Sequence, residues 1–469
     1  MAQFPAEFVA LLQQQLPAHL QLDDVIAYSQ QPLRRSIRVN TLKISVDAFC
    51  ERMAAKGWQL QPVPWCAEGF WLQGEQDEKA LGNTPEHLAG LFYIQEASSM
   101  MPPTALFHFA SQPNEVLDVA SAPGSKTSQM AALMNNRGLL IANEYSASRV
   151  KVLHANLQRL GVRNVALTHF DGHVFGPTLP EQFDAILLDA PCGGEGTVRK
   201  DPNALGNWSL SSIAEIAEVQ RGLIQSAFAA LKPGGVMVYS TCTLNRQENH
   251  EVCHFLKELY PQQVEFLSLA ELFPGADKAC EPEGFLHVWP QIFDSEGFFV
   301  AAIRKNGSID SDYIKPRLGK FPFKPAKAEI ATAINSHLAD LGLALPEAGT
   351  VMERDDELWW FPAPLMAYLD KIRLQRLGVK LADRHKKGFR TTHQAATALP
   401  LDATQAVELT LEQAEQYLMG RDVAMGYAGG KGKVVVCLDG APLGLAKWIN
   451  SRLKNGLPRE LVRDKISHY

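Results

Sequence analysis

The sequence predicts an α/β protein built on a doubly wound, mostly parallel sheet, with a small α+β region before it and a mixed, β-rich region after it. Three observations support this. Apolar runs at 115–120, 138–143, 165–169, 184–188 and 236–239 alternate with helical patterns near 125–134, 146–160 and 212–231, as expected of strands covered by helices on both faces. The stretch VLDVASAPGSKT, Val116–Thr127, reads as a strand, a Gly-containing turn and a helix start, the place where open α/β sheets bind ligands. Beyond about residue 385 the pattern shifts to short β segments.

Composition bounds the rest. The 469 residues, 46% hydrophobic and 20% charged, hold enough apolar content for two to four packed domains. The first twenty residues lack a basic start and an unbroken apolar core, and no run approaches the ~18 apolar residues of a membrane span. A cytoplasmic protein without membrane contact is expected. The seven cysteines, Cys50, Cys66, Cys192, Cys242, Cys253, Cys280 and Cys437, are widely spaced without a Cys-x-x-Cys, so free thiols are expected, with no metal site.

In chain order, Phe4, Phe8, Leu11, Leu12 and Leu16 recur at helical spacing. SIRVNTLK reads as a strand with Ile37, Val39 and Thr41 on one face and Arg38 and Asn40 on the other; with Arg34 and Arg35 the second face is a candidate phosphate contact. Residues 1–110 form the α+β region, whose remainder shows no chemistry. Residues 111–305 form the sheet domain, in which Leu231–Gly235 closes a helix and turns into the fifth strand and FFVAAI, 298–303, adds a late edge strand. A linker at 306–325 leads to a small mixed subdomain at 326–384 and a compact β domain at 385–469. There, Thr410–Gln413 is a capping-box helix start, and Asp439-Gly440 joins two strands.

The net charge is −6, yet the last third carries three basic runs. Lys315–Lys327 has five basic residues and no acid, Lys371–Arg390 has eight against Asp383, and Lys447–Lys465 has six against Glu460 and Asp464. With Phe321, Phe323, Phe389 and Trp448 interleaved, they point to a polyanion-facing surface. The C-terminal third is therefore expected to be separable: removing residues 306–469 should leave the ligand turn working.

The turn carries a single glycine, Gly124, where a dinucleotide fingerprint needs several, and Val119 stands where a phosphate loop needs its first glycine. A bulky, non-phosphorylated ligand such as S-adenosylmethionine fits better. Acids end successive strands: Glu144, placed for a ribose, Asp171, within reach of an adenine edge, and Asp189. Two more strand ends, ILLDAPCGGEGT (186–197) and VYSTCTLNRQEN (238–249), each place a cysteine just past a core strand. Cys192 and Cys242 thus fall on neighbouring strands, with Gly193, Gly194 and Gly196 clearing space around them.

These residues resemble the RNA cytosine-5 methyltransferases of the NOL1/NOP2/Sun group, through Asp118–Thr127, Asp189–Gly196, Ser240–Asn249 and Arg38-Val-Asn40. The resemblance covers roughly residues 30–305 and is most like the bacterial branch that modifies 16S ribosomal RNA. Ser121 and Ser125 depart from the commoner Ala-Ala-Pro-Gly-Gly-Lys-Thr form. The resemblance implies a class I, Rossmann-like methyltransferase fold and a cofactor shell of Ala120, Ser121, Ala122, Pro123, Gly124, Ser125, Lys126, Glu144, Asp171 and Asp189. It implies Cys242 as nucleophile, Cys192 as the base, or its assistant, that completes the reaction, Asp189 as the donor at ring nitrogen 3, and Lys126 as helper of a thiol or of the base. It further implies 16S ribosomal RNA or the small ribosomal subunit as partner of a monomer. The region from 385 resembles a PUA-type RNA-binding module. Two rival readings remain: a transfer RNA substrate for the same reaction, and a non-catalytic assembly factor on the same fold, which would be expected to have lost one of the two thiols. Amino-group methylation would want Pro-Pro-Tyr or Pro-Pro-Phe where the chain has Ala190-Pro-Cys192.

Overall fold

The computed structural model describes residues 3–74, 78–310, 312–319, 321–386, 388–426 and 429–467. At its centre a mixed sheet runs in the order Val264–Leu267, Phe298–Lys305, Leu231–Thr241, Phe183–Asp189, Glu115–Asp118, Leu139–Asn143, Val165–Thr168 and Arg376–Leu377, with Leu286–Val288 paired to Phe298–Lys305. The neighbours from Leu231–Thr241 to Val165–Thr168 are parallel. Helices Ser125–Leu133, Ala147–Arg159 and Leu210–Ala230 connect them, so both faces are covered and the strands read as continuous apolar runs. Sequence order and sheet order part between Glu115–Asp118 and its two parallel neighbours, the switch point where such sheets open a crevice.

The late strand is not an edge. Phe298–Lys305 lies antiparallel between Leu231–Thr241 and Val264–Leu267, because the long segment before it returns along the sheet and supplies the outer strand. At the opposite margin, Arg376–Leu377 pairs antiparallel with Val165–Thr168. A piece of the C-terminal third therefore closes the central sheet.

Three smaller sheets surround this one. The first joins Leu60–Val63, Cys66–Leu72, Ser36–Val39 and Phe92–Ile94; the second runs from Lys324–Pro325 through Gly349–Arg354, Glu357–Pro362 and Val379–His385 to Gly388–Thr391; the third joins Val407–Glu408, Gly432–Leu438, Ala441–Ile449, Arg452–Asn455 and Val423–Ala424. Val379–His385 and Gly388–Thr391 form one hairpin, so a boundary between residues 384 and 385 divides a single pairing unit. The capping box at Thr410 and Gln413 is present, and Asp439 and Gly440 both take positive φ, 48° and 77°, as a tight hairpin turn demands.

The cores do not respect these sheets. One apolar cluster holds Ile37, Phe49, Leu91 and Phe92 of the N-terminal region together with Leu409, Tyr417, Leu438 and Trp448 of the last. Another joins Phe183, Phe228 and Tyr239 to Phe361, Leu365, Tyr368 and Leu377. The expectation that residues 306–469 are separable is thus corrected, since their removal would strip apolar neighbours from both faces of the protein.

The phosphate face proposed for the first strand is also corrected. Arg38 and Asn40 are buried. Arg38 donates to Gln95 Oε1 at 2.8 Å and Ser128 Oγ at 2.7 Å, and Asn40 Nδ2 donates to the Gly90 and Leu160 carbonyls, both at 2.8 Å. They tie the N-terminal sheet to the ends of two central helices. The basic runs are partly consumed in the same way. Lys380 pairs with Glu357 at 2.6 Å and Asp383 at 2.7 Å, Arg390 with Asp383 at 3.0 Å, and Lys371 donates to Gln182 at 2.7 Å. Trp448 is core, and Phe321 and Phe323 pack on the central cluster; Lys320 and Lys387 lie outside the described residues. Among the described residues no helix is long and apolar enough to cross a membrane.

Candidate active site

The ligand turn is built by its own backbone. Ser121 N–H donates to the Asn143 carbonyl and Gly124 N–H to the Ser121 carbonyl, each at 2.8 Å. Gly124 starts the helix at φ 106°, a conformation that favours glycine. Below the turn, Asp118 is buried and accepts from Thr127 Oγ1 at 2.7 Å. Burial first, and the negative charge of Asp189 after it, push the Asp118 carboxyl up to about 7. The helix Ala147–Arg159 covers the turn, Arg149 reaching the Ala122 carbonyl at 2.7 Å and Asn156 the Pro123 carbonyl at 2.9 Å.

Glu144, at the end of Leu139–Asn143, is buried with its carboxylate aimed at the turn, accepting from Ala122 N–H at 3.3 Å and Ser146 N–H at 2.8 Å. Asp171 lies further out: it caps Gly172–Val174 and engages the His173 ring. The structure therefore brings Glu144 to the turn and leaves Asp171 on the rim.

Asp189 and the two thiols converge at the ends of adjacent parallel strands. Asp189 accepts from Ser240 Oγ at 2.7 Å and pairs with Lys126 Nζ at 2.7 Å. Burial would lower the Lys126 pKa, but Asp189, Cys242 and Asp118 outweigh it and raise it, so the ammonium stays charged. Cys192 Sγ stands 3.3 Å from Cys242 Sγ. The Cys192 thiol is held well above its ordinary pKa by the hydrogen bond to Cys242, by burial and by the charges of Cys242 and Glu248.

Two buried acids, not singled out by the sequence reading, hold the cysteine loops. Glu195 accepts from the Leu244 and Asn245 N–H groups at 3.0 and 2.9 Å and from Trp208 Nε1 at 2.6 Å. Glu248 accepts from Gly193 N–H at 2.8 Å, Gln220 Nε2 at 2.9 Å and Asn245 Nδ2 at 2.7 Å. Two of the glycines after Cys192 make room for neighbouring groups rather than for the thiols: a Cβ on Gly193 would stand 2.8 Å from the Glu248 carboxylate of this clamp, and one on Gly196 would stand 2.1 Å from the Gly297 carbonyl oxygen. The N-terminal helix Ala6–Gln15 adds an outer tie, Gln15 bonding Arg246 N–H and Gln247, both at 2.9 Å.

In front of the thiols opens a cleft of about 640 Å³. Cys242, Asp189, Lys126, Ser125 and Pro123 line one wall; Arg34, Arg35, Gln95, Glu96 and Ser99 of the N-terminal region, with Arg199, Lys200, Glu296 and Phe298, line the rest. Sequence reasoning credited Arg34 and Arg35 but found no chemistry in 41–110, because Gln95, Glu96 and Ser99 carry no motif and reach the cleft only through the fold. A second group has metal-ligand spacing, His250, Glu281 and His287, with donor atoms within 4.8 Å of one another. Glu281 bridges both rings and Arg246 stands 3.9 Å from the same carboxylate. A cation already faces that carboxylate, and the group is a tie between the Asn249 helix start and the Leu286–Val288 strand.

A single-glycine turn at the switch point, a buried carboxylate at the next strand end and paired thiols over an open cleft define a Rossmann-like methyltransferase whose cofactor is S-adenosylmethionine. Family models match in four consecutive pieces: the N-terminal domain of 16S rRNA methyltransferase RsmF at residues 4–97, 16S rRNA methyltransferase RsmB/F at 107–304, the pre-PUA domain of ribosomal RNA small subunit methyltransferase F at 323–399, and the methyltransferase RsmF PUA domain at 404–463. Ribosomal RNA small subunit methyltransferase F of Vibrio campbellii is 57% identical over 98% of each chain, and that of Shewanella oneidensis is 57% identical over 99% of this chain and 98% of its own. The chain belongs to this family of methyltransferases. Among solved structures, a methyltransferase homolog protein from Pyrococcus horikoshii is 36% identical, with a TM-score of 0.52 over 64% of this chain and 100% of that one. NSun6 from the same organism, 22% identical with a TM-score of 0.55 over 65% of this chain and 99% of that one, shares the fold.

Proposed function

We propose that the protein transfers a methyl group to carbon 5 of a cytosine in 16S ribosomal RNA through a covalent cysteine–RNA intermediate. The pair of thiols 3.3 Å apart beside the Lys126–Asp189 pair carries this reading. Carbon 5 of cytosine is too weak a nucleophile to take a methyl group unaided. The Cys242 thiolate adds to carbon 6, and the displaced electron pair runs through the ring to nitrogen 3, where the Lys126–Asp189 pair meets it with a proton. The ring is then an enamine, with carbon 5 as its nucleophilic atom. S-adenosylmethionine supplies the methyl group as a sulfonium. Ala122 N–H and Ser146 N–H hold the Glu144 carboxylate beside the turn, where it would accept from the ribose hydroxyls of the bound cofactor.

Cys192 completes the cycle. Its hydrogen bond to Cys242 is the largest reason that it keeps its proton. Once Cys242 is bonded to carbon 6, the charge and the hydrogen bond that Cys242 set against ionisation are gone, and the Cys192 thiol gives up its proton more readily. It then removes the proton from carbon 5, the pair left on that carbon expels the Cys242 sulfur, and nitrogen 3 returns its proton to the Lys126–Asp189 pair. The names of the 57% identical relatives support the ribosomal substrate, as does the C-terminal match to a PUA domain.

The test is gel electrophoresis of two variants with small subunits lacking the modification and labelled cofactor. Cys242→Ala forms no covalent complex. Cys192→Ala attacks and transfers the methyl group but eliminates slowly, so a denaturation-resistant protein–RNA adduct containing the label accumulates. A trap in Cys242→Ala instead would exchange the two roles, and a trap in neither would sink the covalent route.

A further inference from the structure

We propose that Glu296 accepts a hydrogen bond from the exocyclic amino group of the target base and thereby selects cytosine over uracil. The inference rests on the cytosine reading above and adds to it the residue that chooses the base.

Glu296 lines the cleft with Cys242, Asp189, Lys126 and Phe298, although the residue is only 5% exposed. The antiparallel register pairs Phe299 with Thr241, so the chain before it passes Cys242 at Phe298, and Glu296 follows two residues beyond, on the same side of the strand as Phe298. The Glu296 carboxyl is half satisfied: Oε2 accepts from Ser98 Oγ at 3.3 Å, while Oε1 has no hydrogen-bond partner. An unpaired buried polar atom costs about 1–3 kcal/mol. A donor on a ligand held in the cleft would satisfy it. Burial and then the like charge of Glu96 push the carboxyl up to about 7, with Lys200, Ser98 and Lys126 acting the other way. A donor arriving at the carboxyl adds to that favourable side and fixes the charged form.

Asp189 cannot do this work as it stands, because Ser240 and Lys126 already occupy its two oxygens. Glu96 also faces the cleft, but it is paired with Lys200. A thiolate adds to carbon 6 of either pyrimidine and activates carbon 5 in both, so selection comes from the two positions that differ: nitrogen 3, which the Lys126–Asp189 pair meets, and the substituent at position 4. Cytosine presents an N–H donor at position 4, and uracil an acceptor oxygen. A carboxylate accepts from the first and opposes the second.

The experiment begins with wild-type protein, labelled S-adenosylmethionine and small subunits lacking the modification, to locate the methylated nucleotide. Subunits are then assembled from 16S transcripts carrying either cytosine or uridine there. The wild type is expected to favour cytosine by on the order of 10⁴ in kcat/KM, as a site built around a substrate donor does. Glu296→Gln keeps the shape but presents an amide that donates as well as accepts, so the cytosine-to-uridine ratio should fall by about 10- to 100-fold. Glu296→Ala should lose cytosine activity without gaining uridine activity, and cofactor affinity by calorimetry should be unchanged in both. A Gln variant with the wild-type ratio overturns the inference, whatever its absolute rate. So does a Gln variant that has lost cofactor binding, which would assign Glu296 to the scaffold. Label entering a nucleotide other than cytosine in the wild type defeats the underlying reading instead.

Discussion

The thiol cleft and the seam between the first and last sheets are both essential to this molecule, but they are built by opposite means. At the cleft, two short motifs on adjacent strands hold one another: Glu195, just after Cys192, takes the backbone N–H groups of Leu244 and Asn245, and Glu248, just after Cys242, takes that of Gly193. Each cysteine sits in a short motif that carries the clamp for the other. At the seam nothing is local. Phe92 and Tyr417 lie in one apolar cluster, and Arg52 pairs with Asp439 across 387 positions. Polar clamps specify geometry at single atoms, whereas the seam specifies only that two apolar faces meet, and their loss should have different signatures.

The largest effect is expected from deleting residues 306–469. Because Leu377, Tyr368 and Phe361 pack on the central sheet and Leu438 and Trp448 on the N-terminal one, the remaining chain should fail to fold and should bind no cofactor by calorimetry. A soluble fragment with full cofactor affinity would show that the seam is ornament. Next in size is Phe92→Ala. Phe92 is fully buried, with Phe49 and Trp58 packed edge-on at 5.9 and 6.0 Å, so its truncation should cost about 3–5 kcal/mol. Scanning calorimetry should show one lowered transition; two resolved transitions would mean that the sheets melt independently.

Glu144→Ala belongs to the cleft and should act on binding alone, weakening S-adenosylmethionine by about 1–3 kcal/mol while melting stays near wild type. Unchanged affinity would remove Glu144 from the cofactor shell. The thiol pair offers a pH test. A raised pKa means less thiolate at a given pH, so iodoacetamide should modify Cys192 slowly until the pH is well above 9, its ordinary value. Removing the largest cause, in Cys242→Ala, should move that rise to lower pH, as mass spectrometry of the alkylated peptide would record; an unmoved profile would leave burial and the Glu248 charge as the causes. The smallest effect is expected from Arg390→Ala. Its bond to Asp383 is exposed to solvent, and such pairs contribute about 0.2–1 kcal/mol. If RNA binding and its salt dependence also stay constant, the Lys371–Arg390 run is solvated surface held by acids.

The same contrast explains what could be read from the chain. Cys192, Cys242, Asp189 and the turn at Gly124 were legible because a strand end, a turn and a helix start are local patterns, and the parallel neighbours follow from apolar runs of the right length. The alternation in Ser36–Val39 shows two faces but not what covers them, so Arg38 and Asn40 read as phosphate contacts when their second face is buried against central helices. Phe298–Lys305 read as an edge because nothing in its own residues announces that Val264–Leu267 turns back beside it. Glu96 and Glu296 carry no spacing signature at all. They reach the cleft only when regions 200 positions apart are folded together, as the Ser98–Glu296 bond shows at a separation of 198.

The pairing of Arg376–Leu377 with Val165–Thr168, and of the N-terminal sheet with the last one, also sets a schedule for the chain as it is made. Synthesis proceeds at roughly 5–20 residues per second. A partner 387 positions downstream, the separation of Arg52 and Asp439, therefore arrives roughly 20–80 s after the residue that awaits it. Throughout that interval Phe49, Leu91 and Phe92 have no cover from the last sheet, and the Val165–Thr168 margin stands open until residue 377 has left the ribosome. Exposed apolar surface and an unpaired strand margin are the features that recruit holding chaperones. The cores that join the first and last sheets are therefore completed only after residues 377 and 439 have left the ribosome.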